Sequence, residues 1–373
     1  MSLFTFPRKI YFQRDQTEDI SEILGTENIR KVLIVTDQNI YRIFKTRIEK
    51  MFESIESEVF AEVLPEPTVD SIEEAFKKYC NFDPDFIVAI GGGSVIDFAK
   101  SMAIKFSYPD KDLREINPFE HLSLHVKLMA IPTTSGTGSD ATFAVVLTDG
   151  DRKLALGNYE LVPEIDILDS SLTPLNKSVI SVTGIDAFVH SFEAISSNTA
   201  TILTDALAEK AIETIFQNLN GAMDNNEEAK DLVHLSATMA GMAFSNSGTG
   251  LAHALGHSFG ATFHIVHGTS VGLFLPYVIE FNSQDEKALK KYLKVAKLQN
   301  CENIAEFTAK IKEFYKGVGQ QYTVRQLGIE KDRYFSSIDT MIEKSLQDSE
   351  LAFNPVVVGE EDLKSIYKKA YEG

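Results

Sequence analysis

Residues 86–100 read FIVAIGGGSVIDFAK. The apolar run Phe86 to Ile90 predicts a buried strand, Gly91-Gly92-Gly93-Ser94 turns the chain, and an apolar helical pattern resumes at once. A glycine turn between strand and helix lets backbone N–H groups approach an anion at the positive helix end. The loop is not a GxGxxG fingerprint, because Ile96 stands where the third glycine belongs, and it lacks the Lys-Ser/Thr of a P-loop. It reads as a phosphate cradle or, alternatively, as a tight turn with no ligand.

Outward from this stretch, β-branched apolar runs alternate with amphipathic helical patterns: Lys31 to Val35, Tyr41 to Phe52, Val59 to Leu64, then Val69 to Tyr79. Such alternation predicts a parallel α/β sheet. Leu128 to Ile131 is a further strand before Pro132, and Ala144 to Leu168 reads as strands joined by turns such as Asp149-Gly150-Asp151. Past Pro174 strand signals vanish, and Ala200 to Leu219 and Ala229 to Phe244 show helical periodicity. The expected organisation is an α/β domain over 1–173 and an all-helical domain over 174–373, packed with a ligand cleft between them.

A second loop, Thr133-Thr134-Ser135-Gly136-Thr137-Gly138-Ser139, also follows a strand. Its hydroxyls and glycines can donate to phosphate or to a nicotinamide ribose from the same sheet edge, so the pair of loops favours a dinucleotide. Asp37, after the strand Lys31 to Val35, has two readings. Its carboxylate could hold an adenosine ribose and repel a 2′-phosphate, preferring NAD to NADP, or it could cap the helix that follows.

The chain has 373 residues, 44% of them hydrophobic, and a net charge of −18. With no basic run to offset that charge, nucleic-acid binding is excluded. Cys80 and Cys301 lie far apart without CxxC spacing, so neither a disulfide framework nor a thiolate zinc site is expected. The opening MSLFTFPRKIYFQRD lacks a leader pattern, and no apolar run reads as a membrane span. A cytoplasmic protein without membrane partners is the expectation.

The second half carries the metal-competent side chains. Asp186 and His190 stand four apart in TGIDAFVH, on one helix face; His253 and His257 repeat the spacing in GLAHALGH, and His267 follows. An Asp with imidazoles suits Fe²⁺ or Zn²⁺ rather than Mg²⁺ or Ca²⁺. His264 is a neighbour of the cluster, whereas His121, His125 and His234 are read as structural or solvent-facing. No GxSxG elbow or Cys/His signature accompanies them, which counts against an acyl-enzyme hydrolase.

Taken in order, GGGSVIDFAK, IPTTSGTGSD, TGIDAFVHSFEA, AGMAFSN, GLAHALGHSFGA and HG resemble the iron-containing alcohol dehydrogenase family over nearly the whole chain. The resemblance implies a Rossmann-like N-terminal nucleotide-binding domain and a C-terminal helical metal-binding domain, the dehydroquinate synthase-like fold. It implies Fe²⁺, or Zn²⁺, held by Asp186, His190, His253 and His267, with the catalytic His257 near nicotinamide and substrate. It places NAD, or NADP, against Asp37, Gly92, Gly93, Ser94, Asp97, Thr133, Thr134, Ser139 and Lys153. The resemblance also implies a homodimer or larger homo-oligomer, the common state of similar proteins. Asp140 stands where the family more often has Glu.

The implied activity is reversible hydride transfer between NAD(P) and a small alcohol or its aldehyde or ketone. Alternatives are a zinc polyol or glycerol dehydrogenase, a dehydroquinate synthase-like lyase, and a nucleotide-binding sensor without turnover. The lyase wants basic residues around a phosphorylated substrate, yet AHALGHSFGATFHIVHG contains neither Lys nor Arg.

Overall fold

The computed structural model describes residues 3–12, 14–15, 20–150 and 152–373. They divide into two units, Met1–Pro174 and Leu175–Gly373.

In the first unit the elements run β1 (Lys9–Phe12), α1 (Ile20–Thr26), β2 (Lys31–Thr36), α2 (Gln38–Met51), β3 (Glu56–Phe60), α3 (Val69–Tyr79), β4 (Phe86–Gly91), α4 (Gly93–Ser107), β5 (Lys127–Pro132), β6 (Ala144–Asp149), β7 (Arg152–Gly157) and β8 (Ile165–Leu168). Six strands form one sheet in the order β1-β8-β5-β4-β2-β3, every pair parallel. Strand alternation sorts its side chains. Val32, Ile34, Val88 and Ile90 pack with Ile40, Ile48 and Met51 of α2, while Leu33, Val35, Ile87 and Ala89 pack with α3 and α4. Both faces are therefore covered, as a parallel sheet requires.

β6 and β7 form a separate antiparallel hairpin turning at Gly150, whose φ is +59°. Of the expected Asp149-Gly150-Asp151 turn, Asp151 lies outside the described residues. The strand read at Val59 to Leu64 sits earlier, at Glu56–Phe60. Among the described residues β3 is an edge strand paired only with β2, so Glu56, Ser57 and Glu58 stay exposed and give no apolar signal.

The second unit consists of helices: α5 (Lys177–Ser196), α6 (Ile202–Met223), α7 (Glu227–Ser247), α8 (Leu251–Phe263), α9 (His267–Asn282), α10 (Glu286–Leu298), α11 (Ile304–Val318), α12 (Lys331–Leu346) and α13 (Glu360–Glu372), with short 3₁₀ turns. A single core joins them, centred on Phe188, Phe192, Ile212, Leu255, Phe259, Phe274 and Phe307. α5 corrects one expectation, because by length and hydropathy it could cross a membrane. Asp186, His190 and Glu193 interrupt its apolar run, and 78% of that apolar stretch is buried within the protein.

One buried carboxyl in the first unit makes stability depend on pH. Asp166 on β8 is fully buried, and burial, reinforced by the neighbouring Asp140 carboxylate, raises its pKa well above the ordinary carboxylate value. The native state thus keeps a proton that the unfolded chain releases, so stability falls as pH rises from about 4 towards the folded pKa, by at most about 1.4 kcal/mol per pH unit. Asp166→Asn removes that dependence. Denaturant unfolding at pH 5 and pH 8 should show the variant gaining on wild type at the higher pH; parallel behaviour at both would refute the assignment.

Candidate active site

α5 presents Asp186, His190 and Glu193 on one buried face, at positions that repeat with the helical turn. α8 supplies His253 and His257, and His267 opens α9. Gly256 permits the two helices to approach, since a Cβ there would lie 2.9 Å from the backbone nitrogen of Val271. The chain between them turns at His264, whose φ of +58° ends α8 in the left-handed region.

The four side chains Asp186, His190, His253 and His267 each offer a ligand atom, all within 4.8 Å of one another. Around Asp186 Oδ1 lie His267 Nε2 at 3.2 Å and the Nε2 atoms of His190 and His253 at 3.9 Å. Among the described residues, Asp186 Oδ1 and His253 Nε2 are buried without a hydrogen-bond partner. Leaving such atoms unsatisfied costs roughly 1–3 kcal/mol each, a cost that a bound cation removes. The donor set therefore fits a divalent transition metal.

Electrostatics prepare the same set. Burial lowers the His190 pKa to about 3 and that of His253 well below the ordinary histidine value, so both rings keep lone pairs. Burial opposes ionisation of Asp186, yet the His190, His267 and His253 rings outweigh it and hold the carboxyl well below its usual range. His190 is stacked between Phe244, at a centroid distance of 4.1 Å, and His253, at 4.6 Å. Asp186, His190 and His253 are buried, whereas the His267 side chain is 44% exposed and marks the accessible side.

Two carboxylates complete the centre. Glu193 accepts from the backbone N–H groups of Ala252 (2.6 Å) and His253 (3.1 Å) through Oε1, and pairs with His253 Nδ1 through Oε2. Asp348 Oδ2 pairs with His257 Nδ1 at 2.8 Å. Burial raises Asp348, but the hydrogen bond and charge of His257 prevail and lower its pKa. His257 lies against His267, ring centroids 5.3 Å apart. Neither carboxylate was singled out by the sequence reading. Glu193, three residues after His190, sits within the quoted TGIDAFVHSFEA and could have been noticed, whereas Asp348 is 91 residues from its partner.

In the first unit the two glycine loops meet at the C-terminal ends of β4 and β5. A Cβ on Gly92 would approach Thr134 Oγ1 to 3.3 Å, and one on Gly93 would approach Thr137 Oγ1 to 3.0 Å, so backbone rather than side chain occupies this junction. Gly92 begins α4 without a side-chain cap, leaving its N-terminus suited to an anion. Ser94 Oγ accepts from the Glu66 N–H at 3.4 Å, and Thr133 N–H donates to Gly91 O at 3.0 Å. Asp37 Oδ1 caps α2, accepting from Asn39 N–H and Ile40 N–H, which is the second of its two readings. Lys153 pairs with Glu66 at 2.6 Å in an exposed contact.

Asp97 and Ser139 bond each other at 2.6 Å, and Asp97 also accepts from Val146 N–H. Beside them the fully buried Lys100 donates to the carbonyls of Ser139 (2.7 Å), Thr142 (2.8 Å) and Ala144 (2.8 Å). One turn of α4 thus fastens the end of the second loop. Burial lowers the Lys100 pKa to about 8, against the raising influence of Asp97 and Asp140. Lys100→Met would strand three carbonyls and the Asp97 charge, and should cost about 3–5 kcal/mol of stability. A denaturation curve unchanged from wild type would show that Lys100 does not hold the loop.

Comparison with known proteins bears on both units. Residues 7–170 match the family model described as iron-containing alcohol dehydrogenase, and residues 180–371 match the C-terminal model of the Fe-containing alcohol dehydrogenase family. An NADPH-dependent butanol dehydrogenase of Clostridium saccharobutylicum is 32% identical, covering 100% of this chain and 99% of the relative. An alcohol dehydrogenase of Thermococcus barophilus is 37% identical over 85% of each chain. The solved iron-containing alcohol dehydrogenase from Thermococcus thioreducens superposes with a TM-score of 0.91 at 32% identity, covering 100% of both chains.

Proposed function

This chain belongs to the iron-containing alcohol dehydrogenase family and is a metal-dependent, NAD(P)-linked alcohol dehydrogenase, and we propose that Asp186, His190, His253 and His267 hold its ion while His257 moves the substrate proton. The observation that carries the ligand assignment is the convergence of four donor atoms around the orphaned, buried Asp186 Oδ1 and His253 Nε2. When bound, the Fe²⁺ ion supplies Lewis acidity at the substrate oxygen and the nicotinamide exchanges the hydride.

The chain's own residues do the rest. Asp348, accepting from His257 Nδ1–H, leaves Nε2 as the base that takes the proton an alcohol must lose. The His257 side chain is 43% exposed, so that proton can pass on to water. Gly92, Gly93, Ser94, Thr133 and Thr134 form the pyrophosphate and ribose surface of the first unit, with Asp97 and Ser139 fixing the loop from beneath and Lys153 at its margin. Asp37, whose Oδ1 caps α2, keeps its other reading as well: a carboxylate that also holds the adenosine ribose would favour NAD over NADP.

A compact, uncharged alcohol or aldehyde is the substrate, because the segment 252–268 that carries His253, His257 and His267 contains no Lys or Arg to bind a phosphate. The butanol specificity in the name of the clostridial relative agrees with a short-chain alcohol. We place the enzyme in the cytoplasm as a homodimer or larger homo-oligomer, with the nucleotide role over 1–173 and the metal role over 174–373.

Apoprotein reloaded anaerobically with Fe²⁺ or Zn²⁺ should form NADH from primary alcohols, diols or glycerol, and the panel identifies both ion and substrate class. No turnover despite bound metal and nucleotide would instead favour a lyase. His257→Gln should lower kcat by roughly 10²–10⁴-fold while metal content, read by elemental analysis, stays at the wild-type level. Loss of the metal in that variant would make His257 a ligand and end the proton-relay assignment.

A further inference from the structure

Glu193 stands outside the four-donor set but touches one member of it in an unusual way. α8 begins at Gly250, which has no side chain to cap the helix, and the cap comes from another helix: Glu193 Oε1 of α5 accepts from the N–H groups of Ala252 and His253. The other oxygen of the same carboxylate meets the Nδ1 of His253. Glu193 and the His253 ring are both almost wholly buried, so no water competes for either bond.

We propose that Glu193 is the positioning residue of the metal centre: by accepting Nδ1–H from His253 it fixes the ring tautomer that aims the Nε2 lone pair at the ion. The proposal rests on the reading of Asp186, His190, His253 and His267 as the ligand set. Two backbone N–H groups already donate to Oε1, so the carboxylate serves as an acceptor here, and a ring whose Nδ1–H it accepts carries no proton on the opposite nitrogen. That opposite nitrogen, His253 Nε2, is a buried atom with no hydrogen-bond partner among the described residues. Because Oε1 is held by two backbone N–H groups at the start of α8, the carboxylate cannot rotate away, and the ring is locked through the helix that bears it.

Capping and tautomer control can be separated by one isosteric change. In Glu193→Gln the amide oxygen must still face the Ala252 and His253 N–H groups, since the amide NH₂ placed there would set donor against donor. The NH₂ then faces His253 Nδ1 and donates to it, forcing the proton onto Nε2, where it blocks ligation. The cap survives and the ligand is lost.

The experiment is a chelator competition for Co²⁺ on the full chain, with wild type, Glu193→Gln and His253→Ala side by side, together with thermal unfolding of each apoprotein. The expected result is a ~10–100-fold weaker Co²⁺ affinity for Glu193→Gln, with altered visible bands of the bound Co²⁺ and apoprotein unfolding close to wild type. Wild-type affinity in Glu193→Gln alongside a loss in His253→Ala would reduce Glu193 to a helix cap and overturn the proposal. Wild-type affinity in His253→Ala would instead remove the ligand set itself, and the proposal with it. Should Glu193→Gln not accumulate as folded protein, the histidine ¹⁵N shifts of wild-type apoprotein decide: a protonated Nδ1 and bare Nε2 on His253 support the proposal, and the reverse tautomer overturns it.

Discussion

A carboxylate buried among three imidazoles is the constraint from which the helical unit follows. Asp186 is 4% exposed, and an isolated charge at that depth would carry a desolvation penalty of several kcal/mol. His190, His253 and His267 make its ionised form tolerable, but they must come from three places in the chain. α5 contributes one imidazole a helical turn away, α8 a second, and the first residue of α9 the third. Holding these helices at the right separation explains the small residues between them, above all Gly256 against Val271, and the apolar core that surrounds the cluster.

The first unit solves a related problem with the opposite sign. Lys100 is a cation with no exposed surface, satisfied by three backbone carbonyls and by the charges of Asp97 and Asp140. Its bonds run from α4 to the segment 139–144, so one glycine loop is anchored to the helix that opens the other. Parallel strands deliver both loops to one sheet edge, but their mutual position is set by this buried ammonium and by the Asp97–Ser139 bond. The open backbone at Gly92 and Gly93 is thus framed by these buried bonds, the arrangement that the proposed anionic cofactor would need.

What could be read from the chain beforehand was what is local. The strand-glycine-helix passage at Phe86–Lys100 is legible because period and punctuation agree, and Asp186 with His190 is legible because a helix makes residues four apart neighbours. β1 at Lys9–Phe12 escaped notice because four residues carry too short a pattern, and β3 was displaced because an exposed edge strand need not be apolar. Lys100 stood in a quoted motif, but nothing in a sequence distinguishes a buried lysine from a solvated one. Asp348 reaches His257 only through the packing of the C-terminal helices, a contact across 91 residues with no periodic trace.

Glu193 and Asp348 make the same bond, a carboxylate against the Nδ1 of a histidine on α8, and burial separates their roles. Around His253 the pair is closed to water, so the carboxylate can direct a lone pair but has nowhere to send a proton. Around His257 the ring is 43% exposed while its carboxylate is mostly covered, so on the proposed assignment the same bond holds a ring that can still exchange protons with water. The two histidines lie one helical turn apart, and a single turn of α8 carries the chain from dry surroundings to wet ones. On the proposed assignment, position along that helix decides which imidazole binds the ion and which exchanges protons.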